Sequence, residues 1–430
     1  MLIEFTVGNY RSFKEPVTLS MVASKLVSQD QRLDENTIFE PPGGPRLLTS
    51  AVIYGANASG KSNLVDALDL IQLLVLDSAR RAQATGGIPV EPFRLSTETV
   101  TRPSHFEIVF RTLTGTRYRY GFEADRQRVH REWLYHVPTI REALLFEREG
   151  DQVRLGAAFK EGRGLAEKTR PNALFLSVVA QFNGRTARLI SNWFLDAEII
   201  SGLDDQAARL ETLSIWHDPP GFTEIASFLK SLDLSIDDVR LEVDPREVAR
   251  VQEAMPEYFA SEGEHVVPGA YRVKTLHTTH DAAGQPAGSA VFDLDRQESE
   301  GTRKLFALSG PLLAALGGGT PFVADEFDAR LHPIMTRKLV ELFNSRQTNP
   351  HGAQLIFTTQ DANLLDNRLF RRDQIWFTEK DLRGETHLYS LAEFRGVRND
   401  ASFGKDYIQG HYGAIPFLGD LGRLGGNGDA

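Results

Sequence analysis

The chain has 430 residues, 41% of them hydrophobic, and carries a net charge of -10 from 58 acidic and 48 basic side chains. This is the composition of an ordinary soluble globular protein, with room for two or three domain-sized cores or one large core with an insertion. Cysteine is absent, which excludes disulfides, thiolate-held zinc, iron–sulfur clusters and a cysteine nucleophile; the acidic balance argues against a broad, non-specific grip on nucleic acid.

No apolar run reaches the roughly 18 residues a membrane span requires. Met1-Leu2-Ile3-Glu4-Phe5 has no basic segment ahead of a long apolar core, so it does not read as a signal peptide. The expectation is a cytoplasmic protein with no membrane partner; nucleic acid as a partner stays open. Residues 2–7 alternate, with Ile3, Phe5 and Val7 on one face, and predict a half-buried strand. A second strand is expected over Val17 to Ala23. After the loop Glu40-Pro41-Pro42-Gly43-Gly44-Pro45, a mostly apolar strand is expected from Leu47 to Tyr54. From Ser62 the period changes: Leu64, Ala67, Leu68, Ile71, Leu74 and Val75 recur at helical spacing.

Residues 105–150 read as antiparallel β, with strands at Phe106 to Phe110 and Tyr118 to Phe122 around a Thr114-Gly115 turn. Further strands are expected at Trp133 to Val137 and Leu144 to Glu147. Residues 165–265 are mainly helical in pattern, and Val273 to Leu294 forms a hairpin around Asp281-Ala282-Ala283-Gly284. A second set of α/β elements runs to about 395, and the Gly-rich Gly422 to Ala430 is expected to fray.

Four segments carry the chemistry. Gly55-Ala56-Asn57-Ala58-Ser59-Gly60-Lys61-Ser62 matches G-x-x-x-x-G-K-[ST], between an expected strand and an expected helix. The glycines let successive N–H groups face phosphates, and the helix N-terminus adds partial positive charge. Lys61 is expected to bridge the β- and γ-phosphates of ATP, and the Ser62 hydroxyl to ligate Mg²⁺. Pro321-Phe322-Val323-Ala324-Asp325-Glu326 is a short apolar strand ending in two acids. Asp325 is the expected second Mg²⁺ ligand and Glu326 the general base that polarises water, an effect worth ~10²–10⁴ in rate; two solvated acids capping the next helix are the plainer alternative.

Glu298-Ser299-Glu300-Gly301-Thr302-Arg303-Lys304 precedes an apolar helical run, Leu305 to Leu316. Its order ahead of the acid pair is that of an ABC signature loop, in which Ser299 and the Gly301 N–H contact the γ-phosphate held by a second subunit. That reading predicts an ATP-sandwiched dimer, and an ordinary helix N-cap at Ser299 is the other reading. Gln354 to Asp361 is an apolar strand running into polar residues, with Gln360 where a switch histidine stands in ABC/SMC-like ATPases. An amide can bond a phosphate oxygen or the attacking water but cannot carry a proton, so slow or partner-dependent hydrolysis is expected. His277 and His280 fall in a hairpin pattern without further ligands and are not read as a metal site.

Asn9-Tyr10-Arg11-Ser12-Phe13, the run from Tyr54 through the loop to Asn63, Ser299 to Lys304, and Asp325-Glu326-Phe327-Asp328-Ala329-Arg330-Leu331-His332-Pro333 together resemble the AAA-type ATPases of the RloA/AbiLi group. That group lies in the RecF/SMC/OLD-like branch of ABC ATPases, and Asp406 to Phe417 is similar to the end of RloA-type proteins. The resemblance implies an α/β fold, a P-loop ABC-type ATPase head with an antiparallel β-subdomain and a mainly helical insertion. It implies a nucleotide-binding set of Gly55, Ala56, Asn57, Ala58, Ser59, Gly60, Lys61, Ser62 and Asn63 with Ser299 and Gly301, and Glu326 and Lys61 in catalysis; Gln360, the third catalytic candidate, departs from the group's pattern by replacing its histidine. It also implies a homo-oligomer that acts in bacterial anti-phage or abortive-infection systems with a separately encoded effector, often RloB-like.

The expected boundaries are 1–150 for the P-loop lobe, 151–284 for the insertion, 285–400 for the signature, acid-pair and switch lobe, and 401–430 for an extension. The Pro/Gly-broken middle of the chain does not fit long coiled-coil arms. Thr378-Glu379-Lys380-Asp381 has the wrong spacing for guanine recognition, and the stretch after the switch strand is too short for a Toprim nuclease. A RecF/SMC-like DNA-repair ATPase and a nucleotide-gated scaffold with little turnover are the alternatives.

Overall fold

The computed structural model describes residues 1–81, 86–137, 141–216, 219–232, 235–254, 270–398 and 401–416. The Gly-rich tail 422–430 lies outside the described residues. The chain divides into two compact units, Met1–Leu195 with Ile356–Ala430, and Asp196–Leu355. Residues 151–195 and 356–400 thus group with the P-loop segment. No described helix is long and apolar enough to cross a membrane.

The first unit holds an antiparallel sheet of seven strands, in the order 152–155, 143–149, 129–137, 117–124, 104–111, 2–8 and 17–20. Ser104–Arg111 alternates strictly between buried and half-buried residues, as a strand with one packed face must. Phe106 stacks on Phe122 with centroids 5.1 Å apart, and Phe110 meets Trp193 at 4.3 Å. Trp193 belongs to the helix Arg185–Leu195, whose Ala187, Ile190, Trp193 and Phe194 are buried. The helix Lys61–Arg81 buries every residue of its predicted stripe, Leu64, Ala67, Leu68, Ile71, Leu74 and Val75.

The expected strand Leu47 to Tyr54 is two strands. Leu47–Leu48 pairs with Ile38–Phe39, whereas Ser50–Tyr54 runs parallel to Ile375–Lys380. Thr49 sits at the break and its N–H donates to the Thr37 carbonyl at 2.9 Å, which turns the chain from one sheet to the next. Val17 to Ala23 also forms less strand than expected and ends at Ser20.

In the second unit Glu198–Ser201 runs parallel to Pro321–Asp325, with Ser201 opposite Asp325. Helices Gln206–Trp216, Pro219–Ser231, Glu300–Gly318 and Pro333–Phe343 accompany this pair. A three-stranded antiparallel sheet joins Asp238–Val243, Tyr271–His280 and Pro286–Asp293, and the last two make the predicted hairpin. The described residues from 165 to 254 are thus mainly helical with two strands among them, Glu198–Ser201 and Asp238–Val243; residues 255–265 of the predicted helical stretch lie outside the described residues. The division between the units falls within the fully buried strand Gln354–Thr358.

Candidate functional site

The phosphate-loop segment leaves a strand whose five residues, Ser50–Tyr54, are all buried, and enters the helix Lys61–Arg81. Gly55 has no room for a side chain: a Cβ there would lie 2.4 Å from Ser59 Oγ and 2.5 Å from the Thr378 carbonyl. Gly60 has φ +110°, and its Cβ would meet Thr386 Oγ1 at 2.5 Å. Both positions therefore demand glycine, one by crowding and one by conformation as well. Ala58 adds a left-handed residue at φ 61°. Asn57, Ala58 and Ser62 are exposed, while Ser59, Gly60 and Lys61 are buried.

Lys61 is held against the loop, its Nζ donating to the Gly55 carbonyl at 2.8 Å and the Ala56 carbonyl at 3.1 Å. Behind the loop stands a set of hydroxyls that the motif does not announce. Ser59 Oγ lies 2.7 Å from Thr378 Oγ1, and Thr386 Oγ1 lies 2.8 Å from both the Ser59 carbonyl and Ser12 Oγ. Asn63 Nδ2 donates to Ser12 Oγ at 2.6 Å, which ties the first helical turn to the same set. Thr378 and Thr386 lie on the hairpin of Ile375–Lys380 and Thr386–Ser390. Their separation from the loop in sequence hides them from any local pattern.

Tyr10 belongs to the packing of the first unit. It is buried, meets Phe106 edge-on at 5.3 Å, and burial pushes its hydroxyl up to about 12. Arg11 pairs with Asp66 on the helix after the loop. Gln360 follows the buried strand end and is exposed. The next carbonyl, of Asp361, accepts from the Tyr54 hydroxyl at 3.1 Å, so the segment after the switch strand is bonded to the residue just before Gly55.

The second unit gathers the acid pair and the signature segment. Asp325 ends its strand, and Glu326 takes a left-handed φ of 49°. Gly202, which the sequence reading does not single out, lies against them. Its N–H donates to the Asp325 carbonyl at 2.6 Å, and a Cβ would sit 2.0 Å from the Glu326 carbonyl oxygen. Lys304, in the signature helix, is fully buried and donates to the carbonyls of Gly202, Phe327 and Ala329 at 3.1, 3.0 and 2.6 Å. Burial lowers its ammonium to about 8. Arg330 pairs with Asp205 at 3.2 Å and donates to the Leu203 carbonyl at 2.6 Å. The turn after the acid pair is thus gripped by two cations.

Ser299 is the N-cap of Glu300–Gly318, accepting from the Thr302 N–H at 3.1 Å. Ser299 caps the helix and is exposed, while Gly301, two residues on in the first turn of this 19-residue helix, is half-buried. Glu298, just before it, is bonded by Thr275 Oγ1 and lies 2.7 Å from His277 Nε2. His277 also packs on Phe292 at 4.6 Å. His332 caps Pro333–Phe343 as a helix start, accepting from the Ile334 N–H. The candidate residues accordingly fall in two groups: Gly55 to Asn63 with Gln360 in the first unit, and Ser299, Gly301, Asp325 and Glu326 in the second.

The donor chemistry of the loop fits a polyphosphate: two obligatory glycines, a buried ammonium and a helix N-terminus face the same short segment. The exposed Ser62 hydroxyl and the Asp325 carboxylate are oxygen donors of the kind Mg²⁺ takes. Strand, loop and helix so arranged define a P-loop protein of the mixed α/β class. Residues 50–366 match the family described as "AAA domain, putative AbiEii toxin, Type IV TA system", and the chain belongs to that AAA-domain ATPase family.

No curated protein matches the chain. Among solved structures, an SMC head bound to the C-winged helix domain of ScpA is 15% identical with a TM-score of 0.45, covering 90% of this chain and 97% of that one. The SMC head domain from Thermotoga maritima is 10% identical with a TM-score of 0.40, covering 90% and 98%. The recombination mediator protein RecF with ATP, from the RecFOR pathway, is 11% identical with a TM-score of 0.35, covering 90% and 97%. At these identities and scores the likenesses assign no activity.

Proposed function

We propose that the chain is a Mg²⁺-dependent ATPase that forms an ATP-sandwiched dimer or larger assembly and controls a separately encoded, RloB-like effector in phage defence. The observation that carries the first part is the loop itself, where Lys61 is held within 2.8 Å of Gly55 at the head of a 21-residue helix. In this reading Lys61 and the loop N–H groups bind the phosphates, and Ser62 and Asp325 hold Mg²⁺, which supplies charge neutralisation during phosphoryl transfer. Glu326 takes the proton of the attacking water. Ser299, exposed at a helix N-terminus, and the half-buried Gly301 beside it face the γ-phosphate of the other subunit. The effector and the phage-defence role rest on the resemblance to RloA-type proteins and on membership of the AbiEii-type AAA family.

Gln360 favours a second reading, a nucleotide-gated scaffold with little turnover, in which ATP builds the assembly and hydrolysis does not set its lifetime. Mass in solution, with and without Mg²⁺-ATP, tests the proposal in wild type, Lys61→Ala and Glu326→Gln. The expected outcome is ATP-dependent assembly, absent in Lys61→Ala and persistent in Glu326→Gln. A mass indifferent to nucleotide in all three removes the sandwich. Assembly with equal lifetime in wild type and Glu326→Gln selects the scaffold.

A further inference from the structure

The segment from Asp406 onward, set apart by its sequence, is not used by the phosphate loop. Its described part closes one side of a pocket of about 520 Å³ in the first unit. Three aromatic rings make the lining. Phe394 lies 5.7 Å from Tyr389 and 5.6 Å from Tyr412, the latter at an interplanar angle of 70°. Two carboxylates, Glu379 and Glu393, complete the wall, against one cation, Arg395.

The wall is built with little slack. Tyr389 Oη lies 3.0 Å from Glu379 Oε2 and 2.9 Å from the Tyr412 carbonyl, and the Tyr412 hydroxyl donates to Asp406 at 3.1 Å. Gly413, at φ +67°, passes so close that a Cβ would lie 2.8 Å from both Glu379 Oε2 and Tyr389 Oη. Any other residue there would push the carboxylate and the ring apart.

We propose that this pocket receives the guanidinium or ammonium head of a basic side chain on a partner protein. Ring faces and carboxylates both attract cations, and the attraction grows where water is partly excluded. The excess of carboxylate over arginine in the wall makes the charge complementary to a basic protein segment and repels a nucleic-acid backbone. Thr378, beside Glu379 in the strand, bonds to the phosphate loop. Successive residues of a strand face opposite sides, so a side chain seated against Glu379 leaves the loop uncovered. This inference does not depend on ATP hydrolysis.

The test uses the full chain and a fluorescent peptide, Gly-Arg-Gly-Arg-Gly, followed by anisotropy, with a citrulline peptide as the uncharged control. The arginine peptide should bind, the citrulline peptide should not, and Phe394→Ala should weaken binding by about fivefold or more without changing any charge. Unchanged binding in Phe394→Ala, or equal binding of the citrulline peptide, overturns the pocket. Arginine amide binding as tightly as the peptide overturns the protein partner in favour of a small cation. If Phe394→Ala fails to fold, Glu393→Gln serves in its place, since its amide oxygen can still accept from the Ser390 N–H as Glu393 does at 2.8 Å.

Discussion

At the scale of single residues, the phosphate loop depends on groups far from it. Thr386 offers one hydroxyl to Ser12 and to the Ser59 carbonyl. Removing it strands buried polar partners, at a cost of about 1–3 kcal/mol. Thr386→Val should therefore weaken ATP binding by roughly tenfold while the chain remains folded, as titration calorimetry beside a thermal melt will show. The loop motif was legible in the sequence because its residues are contiguous. Thr378 and Thr386 were not, because 319 and 374 positions separate them from Ser59 and Ser12. Gly202, and the part Lys304 plays beyond ending the signature segment, escaped for the same reason: each is defined by carbonyls of a turn that only the folded chain brings to it.

A second residue-scale expectation concerns pH. Burial, with Glu198 beside it, raises the Glu211 carboxyl from its ordinary 4.5 to about 8. The folded state therefore holds a proton that the unfolded state releases, and stability falls as pH rises from about 4.5 to about 8. Melting temperatures measured across that range should decline in wild type and decline less in Glu211→Gln. Identical slopes would mean the two carboxylates do not share a proton.

At the scale of elements, the link between sheet and helices in the first unit rests on a buried ion pair. Glu132, fully buried, accepts from the N–H groups of Phe175 and Leu176 at 2.6 and 3.0 Å, the start of a helix with no side-chain cap of its own. Burial raises its pKa, and Arg148, 3.7 Å away, leads the groups that pull it back. Arg148 in turn donates to the Ala173 carbonyl at 2.7 Å. Glu132→Ala leaves a buried guanidinium unpaired and should cost about 3–5 kcal/mol in a denaturant titration. The pattern of Ser104–Arg111 and the stripe of Lys61–Arg81 were readable because one face of each is packed. Glu198–Ser201 was not, since four residues between helical runs carry no period of their own. Leu47 to Tyr54 misled because an apolar run says nothing of the change of sheet at Thr49.

At the scale of the molecule, the first unit is made of two distant stretches of chain. The strand Ser50–Tyr54 pairs with Ile375–Lys380, and Gln374 Nε2 donates to Ser50 Oγ at 2.8 Å. A fragment of residues 1–195 should thus lack a cooperative melt and ATP binding, and one joining 1–195 to 356–430 through a short linker should regain both. A cooperative, ATP-binding 1–195 fragment would contradict this account of the unit.

The span between Ser59 and Thr378 also has a meaning in time. A ribosome adding about 5–20 residues per second makes the loop first and reaches its threonines roughly 15 to 65 seconds later. Through that interval the nascent chain displays a phosphate-binding motif without the groups that shape it. Competence for nucleotide thus waits until the hairpin carrying Thr378 and Thr386 has been made, and a ribosome that stalls before it releases a chain with the motif and no grip.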